Sequence, residues 1–414
     1  MTPGSLLPAY AVLPFILMLL LIAFLPLWVP RWWESNWNKL LAACVVSAPI
    51  LALYLMRDPR TLARTAEEYV SFIILLAGLY IVAGGVLLRG DLVAATGTNV
   101  AFLGIGFVLA SLIGTTGASM LLIRPLLQTN QQRTRVKHTV IFFIFLVSNI
   151  GGMLTPLGDP PLFLGHLHGV PFTWTLRLWP HWLLMGGTLL VVYFVWDTIQ
   201  CAREPAAAVR RDRQALEPLR VSGAINALWL VGVVAAVALL RAPAREAAIV
   251  VLGAMSLWTT PRSIRRANGF TAHPMVEVAV LFLGIFATMM PALDLLRLRG
   301  GELGVRQPWQ FFWASGALSS FLDNAPTYLV FLTLAQSLGL SQEVVGVPDA
   351  VLAAISAGAV AMGANTYIGN APNFMVKSVA EEARVAMPSF LGYMVYSGLI
   401  LLPLFALVTL IFFR

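Results

Sequence analysis

Long apolar runs separated by short polar segments set the pattern of the sequence. Eight are continuous, at 8–29, 39–56, 70–88, 181–196, 222–240, 243–259, 276–296 and 389–413, and each predicts a membrane-crossing helix. A crossing helix needs about 20 apolar residues, whereas barrel strands would be half as long and would alternate in polarity. Four further runs are interrupted. The run 97–127 breaks at Gly114-Thr115-Thr116-Gly117, and 308–339 breaks at Asp323-Asn324-Ala325-Pro326. Each is as long as two half-spans and predicts a re-entrant hairpin. The runs 139–164 and 350–383 break within Ser148 to Phe163 (SNIGGMLTPLGDPPLF) and from Asn365 to Pro372, and predict helices interrupted near the midplane. Non-helical backbone is tolerated at that depth only where it is buried in protein or lines a cavity, and ionisable groups there are functional by default.

The order of these elements repeats. Three spans, a hairpin, a broken helix and a last span occupy 1–196 (hairpin 97–127, broken helix 139–164). After a basic linker, 197–221, the same order fills 222–414 (hairpin 308–339, broken helix 350–372). At an offset of 211, Gly152, Thr155, Gly158, Pro161 and Phe163 fall on Gly363, Thr366, Gly369, Pro372 and Phe374, with Asp159 opposite Asn370. At an offset of 208, Thr115 falls on Asp323, Thr116 on Asn324 and Ser119 on Thr327. Each half holds five crossings and one hairpin, an odd number, so the second half starts on the opposite side and the repeat is inverted. Paired broken helices in an inverted repeat point to a secondary transporter with its site at the midplane. The expected fold is an all-α polytopic membrane protein of two inverted-topology repeats.

Composition agrees: 59% of residues are hydrophobic and 11% charged, far from the quarter charged of a soluble domain. The first run has no basic segment before it and is long for a signal peptide, so it counts as a helix. Cys44 and Cys201 suggest no disulfide framework. The net charge of +8 is spread over loops without a compact basic patch, which argues for a lipid bilayer rather than nucleic acid as partner. A small majority of the 27 Lys and Arg falls inside if the linker with Arg203, Arg210, Arg211, Arg213 and Arg220 is inside, and both termini are then outside.

Asp159 and Asp323 are the acids that lie inside breaks. Asp58, Glu67, Asp91, Asp197, Glu302 and Asp349 fall in loops or at span ends, where water is expected to reach them, and Glu277 and Asp294 bracket one span. The bland role for Asp159 and Asp323 is to cap the helices that restart beside them. The functional one is to bind a cation such as Na⁺ and a proton in competition, since an unpaired carboxylate away from water holds its proton more tightly. Neutral oxygen donors surround them: Thr115, Thr116 and Ser119 at the first tip, Asn324 and Thr327 at the second, and Asn149, Thr155, Asn365, Thr366 and Asn370 in the broken helices, with Gly158 and Gly369 supporting. Helix N-termini at the same tips favour an anion instead, so cation and anion sites both remain open. His166 and His168 have no Cys or acidic cluster beside them, and Trp174, Trp179 and Trp182 read as an interfacial belt. No cofactor is expected beyond Na⁺ as a transported or coupling ion.

The motifs SNIGGMLTPLGDPPLF, SSFLDNAPTYLVFL and GANTYIGNAPNF resemble the ion transporter superfamily, and within it sodium/proton antiporters and citrate-transporter-like proteins. The resemblance covers essentially the whole chain. It implies a scaffold domain, a transport domain holding hairpins and broken helices, elevator-like movement, a homodimer and residence in a bacterial inner membrane. It also implies that Thr115, Thr116, Asp323, Asn324, Asp159 and Asn370 face the ion site. Dicarboxylate carriers of the superfamily have Ser-Asn-Thr tips, whereas Asp323 stands at a tip here and would repel a carboxylate. The expectation is therefore exchange of Na⁺ or a similar cation for protons at Asp159 and Asp323. The alternative is Na⁺- or H⁺-coupled transport of a carboxylate such as citrate, or efflux of an oxyanion. No selectivity filter suggests a channel, and no nucleophile–base pair, metal-ligand spacing or phosphate loop suggests an enzyme.

Overall fold

A computed structural model describes residues 8–214, 216–340 and 343–414. Residues 1–7 of the first predicted repeat, 215 of the linker and 341–342 of the second repeat lie outside the described residues. The first half opens with α1 (Leu13–Trp28), the short α2 (Pro30–Trp33), α3 (Asn36–Arg57) and α4 (Pro59–Ala83). Next come α5 (Thr96–Ile113) and α6 (Thr115–Thr129), then α7 (Lys137–Leu146) and α8 (Pro160–Leu167), and finally α9 (Trp179–Ala202). The linker contains α10 (Ala206–Gln214). The second half runs through α11 (Ile225–Leu239), α12 (Ala244–Thr259), the short α13 (Arg262–Ala267) and α14 (His273–Arg299). It continues with α15 (Pro308–Ser319), α16 (Asn324–Ser337), α17 (Asp349–Met362), α18 (Ala371–Glu382) and α19 (Phe390–Phe412). The order three long helices, interrupted pair, broken helix, last helix thus occurs twice.

Among the described residues, eight helical segments are long and apolar enough to cross a membrane; six coincide with continuous runs of the sequence, and the other two are Thr96–Ile113 and Lys137–Leu154. With 15 and 16 residues, α11 and α12 fall short of that length, because Ser222 belongs to a strand and the chain turns at 240–243. By contrast α5, with 18 residues, is long enough to cross by itself, where a half-span was expected. Its counterpart α15 has 12 residues. The helix predicted from residue 70 begins at Pro59: Asp58 caps it, accepting from the Thr61 amide at 3.2 Å and from the Thr61 hydroxyl at 2.7 Å, and proline suits the first helical position.

An all-α chain was expected, but a two-stranded antiparallel ribbon joins the start of the hairpin region to the linker. β1 (Leu87–Asp91) pairs with β2 (Glu217–Ser222), setting Leu87 opposite Ser222, Arg89 opposite Arg220 and Asp91 opposite Glu217. The register shifts between Arg89 and Asp91, where Gly90 takes φ +141°. Both strands are too short and too mixed in polarity to stand out beside the apolar runs.

The helices pack in two groups. α1, α3, α4, α11, α12 and α14 form one, and α5 to α9 with α15 to α19 form the other, with α14 touching α16 and α4 touching α6 between them. Charges on α14 are paired within the first group. Lys39 donates to Glu277 at 2.7 Å and Tyr54 to Asp294 at 2.7 Å, so both acids that bracket this helix have partners from α3. In the second group, Asp197 was expected to meet water but is fully buried, ion-paired to Arg133 at 2.8 Å and bonded to His138 Nε2 at 2.8 Å. Asp91 is likewise buried. The two halves interlock reciprocally: α6 packs on α18, and α16 packs on α8. Burial shows what lies in the middle. Of the segment Lys137–Leu154, 89% of the apolar window is buried, against 28% for Phe390–Phe412. An all-round apolar helix belongs in the interior, and α7 and α17 are the interior.

The glycines shared by the two broken helices are where the chain crosses itself. A Cβ built on Gly158 would stand 2.1 Å from the Gly152 carbonyl oxygen, and one on Gly369 would stand 2.5 Å from that of Gly363. The same crossing therefore occurs in each half, at positions 211 apart. A side chain at either point has to push backbone apart, and overpacking of this kind costs about 1–3 kcal/mol. Gly158→Ala and Gly369→Ala are expected to lower the unfolding midpoint in detergent by that equivalent. Gly187→Ala and Gly398→Ala, where a Cβ meets nothing within 4 Å, should leave it within error.

Candidate functional site

The four breaks of the chain meet at one carboxylate. Asp159 is 1% exposed and accepts three side-chain hydrogen bonds, each from a different break. Thr115 Oγ1 donates to Oδ1 at 2.9 Å, Asn370 Nδ2 donates to the same oxygen at 3.1 Å, and Asn324 Nδ2 donates to Oδ2. Asn370 also donates to the Ser148 carbonyl at 3.0 Å, and the Ser148 and Ser119 hydroxyls share a hydrogen bond at 2.9 Å. Thr115, Asn324 and Asn370 are themselves buried.

Local sequence explains why these groups converge. Gly114 has φ +80°, a conformation that favours glycine, and it turns the chain so that α6 starts at Thr115, whose amide donates to Gly158 O at 2.9 Å. Pro160 and Pro161 restart a helix immediately after Asp159, and Pro372 does so shortly after Asn370. Neither Asp159 nor Asn370 caps that helix with its side chain, so both side chains are free to face one another. The helices α6, α8, α16 and α18 all begin at these residues or directly beside them. The partial positive charge of a helix start favours an anion beside it.

A second set of hydrogen bonds, also present twice, holds the breaks in place. In the first half Ser111 Oγ donates to Gly151 O and Thr155 Oγ1 donates to Ser111 O. In the second half Ser320 Oγ donates to Met362 O at 3.1 Å and Thr366 Oγ1 to Ser320 O at 2.5 Å. Thr155 and Thr366 are thus spent on backbone carbonyls of the neighbouring break, and Thr366 also accepts the Gly369 amide at 3.1 Å. Asn149 donates to Asn373 Oδ1 at 2.7 Å, and Asn373 donates to Gly363 O and Thr366 O at 2.9 Å each. Asn365 donates to Ser320 Oγ at 2.8 Å. Trp182, which the sequence placed in an interfacial belt, stacks on Phe107 with centroids 4.0 Å apart and donates to Gly151 O at 3.3 Å.

Of the residues expected at the site, the structure brings Asp159, Thr115, Asn324 and Asn370 into direct contact. Ser119 is linked to Asn370 only through Ser148, and Asn149 bonds Ile144 O and Asn373 and none of these four. Asp323 does not join them: its side chain accepts the Ala325 amide at 3.0 Å and caps α16, while the Thr327 hydroxyl bonds Asp323 O at 3.0 Å. Thr115, the position equivalent to Asp323 in the repeat, is the one that bonds Asp159. Thr116 is half-buried with no hydrogen bond to Asp159. Sequence reading passed over Ser111, Ser148, Ser320 and Asn373. The last of these carried a usable signal, an amide three residues after Asn370 on the first turn of α18.

Chemically, the cluster is one carboxylate in a shell of donors. Among the described residues, no Lys or Arg is ion-paired with Asp159 or Asp323. Acceptor atoms remain unused at its edge, since Asn149 Oδ1, Asn324 Oδ1 and Asn365 Oδ1 are buried without a hydrogen-bond partner. Such a shell can hold an oxyanion, a proton on Asp159, or a small cation that recruits the free amide oxygens.

No curated protein matches the chain. A protein-family model described as "Putative citrate transport" matches residues 4–413, nearly the whole sequence. Eight apolar spans, breaks that meet at a buried carboxylate, and a match of that length identify the chain as a multi-pass membrane transporter belonging to this family.

Proposed function

We propose that the protein carries a small carboxylate of the citrate class by secondary transport, coupled to a proton or monovalent cation that neutralises Asp159. One observation carries this reading: side-chain donors from three breaks converge on a single buried carboxylate beside the starts of four helices. That is an oxyanion cradle, and Asp159 fills it from within. Helix N-termini and amide donors are the ordinary means of binding a carboxylate. The family description supports the same substrate class.

Coupling follows from charge. Two carboxylates about 4 Å apart repel by about 4 kcal/mol at an effective dielectric constant near 20. A substrate carboxylate therefore cannot share the donors with an ionised Asp159. Once a proton or Na⁺ neutralises Asp159, Thr115, Asn324 and Asn370 are free to bind the substrate, and Asn324 Oδ1 is available to a cation. Asp323, the acid that argued against a carboxylate substrate, accepts the Ala325 amide and makes no hydrogen bond to Asp159 or its donors. In this reading 97–127 and 308–339 act as re-entrant hairpins of inverted repeats. The group α5 to α9 with α15 to α19 moves as an elevator-like transport unit against the group containing α3, α4 and α14.

A second reading, exchange of Na⁺ for protons, is favoured by a specific observation: Asp159 is buried with no ion-paired cation, so a proton and a metal ion can compete for it. Proteoliposomes separate the two. Under an imposed proton or Na⁺ gradient, citrate-class carboxylates are expected to accumulate inside. If Na⁺, Li⁺ or K⁺ alone moves protons and no carboxylate accumulates, exchange is the function instead.

Asp159→Asn gives the sharper prediction. The neutral isostere should retain carboxylate counterflow while gradient-driven accumulation disappears, because binding no longer depends on a coupling ion. Loss of both activities in folded protein would remove Asp159 from the coupling role. Asn324→Ala and Asn370→Ala each delete a donor worth about 1–2 kcal/mol, so apparent substrate affinity should fall about tenfold in uptake titrations.

A further inference from the structure

The two groups of helices meet where α6 lies against α4, and an arginine bridges them there. Near its start α6 comes very close to α4: a Cβ built on Gly117 would stand 3.0 Å from that of Ala83. About two turns further on, Arg124 donates from Nη1 to the Asn268 carbonyl at 3.1 Å, in the turn between α13 and α14. That bond joins the first half of the chain to the second. It also joins the group proposed to move to the group containing α4, here the scaffold. Arg124 is half-buried, and among the described residues it forms no ion pair. The groups approach again further back along α4, where His168 Nε2 lies 3.7 Å from Glu68 Oε2.

The turn that receives Arg124 is fixed to the scaffold. Arg265 Nη1 donates to Ile81 O at 2.7 Å, and the Tyr80 hydroxyl donates to Thr271 O at 2.9 Å. Asn268 Nδ2 donates to Gly84 O at 3.3 Å and to Val86 O at 2.9 Å. The same turn is shaped to take the guanidinium. Gly269 has φ +65°, a conformation that favours glycine, and a Cβ on it would stand 2.9 Å from Arg124 Nη2 and 3.3 Å from Cζ. Asn268 is the C-cap of α13, a helix end whose free carbonyls attract positive charge. The repeat equates α6 with α16 and α4 with α14, yet the bond is not made twice. At the offset of 208, Leu332 stands on α16 where Arg124 stands on α6, and it offers no donor. The two equivalent pairs also differ in packing, since α16 lies along α14 more extensively than α6 lies along α4.

We propose that Arg124 is a catch: it holds the transport unit on the scaffold in the present conformation and must release the Asn268 carbonyl before the unit changes sides. This rests on the elevator-like movement proposed above. If inverted halves exchange environments as the carrier changes face, the bond is lost on α6 and Leu332 does not replace it on α16. The catch therefore favours one of the two conformations. A hydrogen bond from a charged donor is worth enough to shift such an equilibrium about tenfold. Arg124 makes no hydrogen bond with Asp159 or with Thr115, Asn324 and Asn370, so it acts on the position of the unit and not as a ligand of the site.

Spin labels on the full-length protein in lipid nanodiscs read the two populations. In a background of Cys44→Ser and Cys201→Ser, labels at Gln131→Cys, just beyond α6, and Arg262→Cys, on α13, span the boundary at exposed positions. Electron–electron distance measurement should give two distances across the set of proteins. Arg124→Met keeps the length of the side chain without its donors, and should lower the population matching the present conformation about tenfold relative to the other. Arg124→Lys, which keeps a charged donor, should stay closer to wild type. Gly269→Ala is the companion variant, because its Cβ displaces the guanidinium, and it should act as Arg124→Met does. Gly304→Ala controls for backbone strain: φ is +71° there, a Cβ meets nothing within 4 Å, and the populations should not change. Two distances whose ratio Arg124→Met leaves unchanged overturn the catch and leave the movement standing. One distance in every protein, with or without citrate and Na⁺, overturns the movement and the catch together.

Discussion

Everything in the centre of this protein follows from the need to bury the carboxylate of Asp159 without leaving it bare. An unsatisfied acid in a dry interior is among the most costly things a fold can contain. Here the remedy comes from a distance in sequence: a hydroxyl at Thr115 and two amides at Asn324 and Asn370. Bringing those donors to one point requires four helices to begin there, which in turn requires four breaks in membrane-spanning segments. The breaks expose backbone groups, and these are absorbed by the serine and threonine clasps around Ser111 and Ser320. The site and the interruption of the helices are one structural decision.

That decision is made twice with slightly different side chains, and the difference is what gives the site a charge. Both halves use the same glycine crossing and the same hydroxyl-to-carbonyl clasps. At the corresponding position one half has Asp159 and the other Asn370. Two aspartates there would repel. The mixed pair instead sets an acceptor against a donor, Asn370 Nδ2 bonding Asp159 Oδ1 at 3.1 Å.

Much of this arrangement was legible in the residues, and the limits are equally physical. Glycine, proline and threonine recurring at one offset marked both broken helices, because only those residues permit the crossing and the restart. Asp159 stood out as an acid within an apolar run. Asp323 stood out for the same reason, yet it caps its own helix. From spacing alone, a tip acid that faces a site looks the same as one that accepts the amide two residues further on. Asn373 was hidden because the helix around it also carries Lys377 and Glu381, so its exposed face dominated the pattern. The β1–β2 ribbon was unreadable because register between short polar strands is set by tertiary contacts with α6 and α13, and not by alternation. The length of α5 was likewise obscured, since an apolar run does not reveal where its helix starts.

The reciprocal packing of α6 on α18 and of α16 on α8 bears on how the protein is made. Two of the three donors of Asp159 lie 165 and 211 residues downstream of it. At roughly 5–20 residues per second of synthesis, the carboxylate waits on the order of ten to forty seconds before its last partner leaves the ribosome. During that interval the first broken helix lacks the two amide donors of the second half. A carrier built from interlocked halves therefore assembles its centre last, from the outside inward.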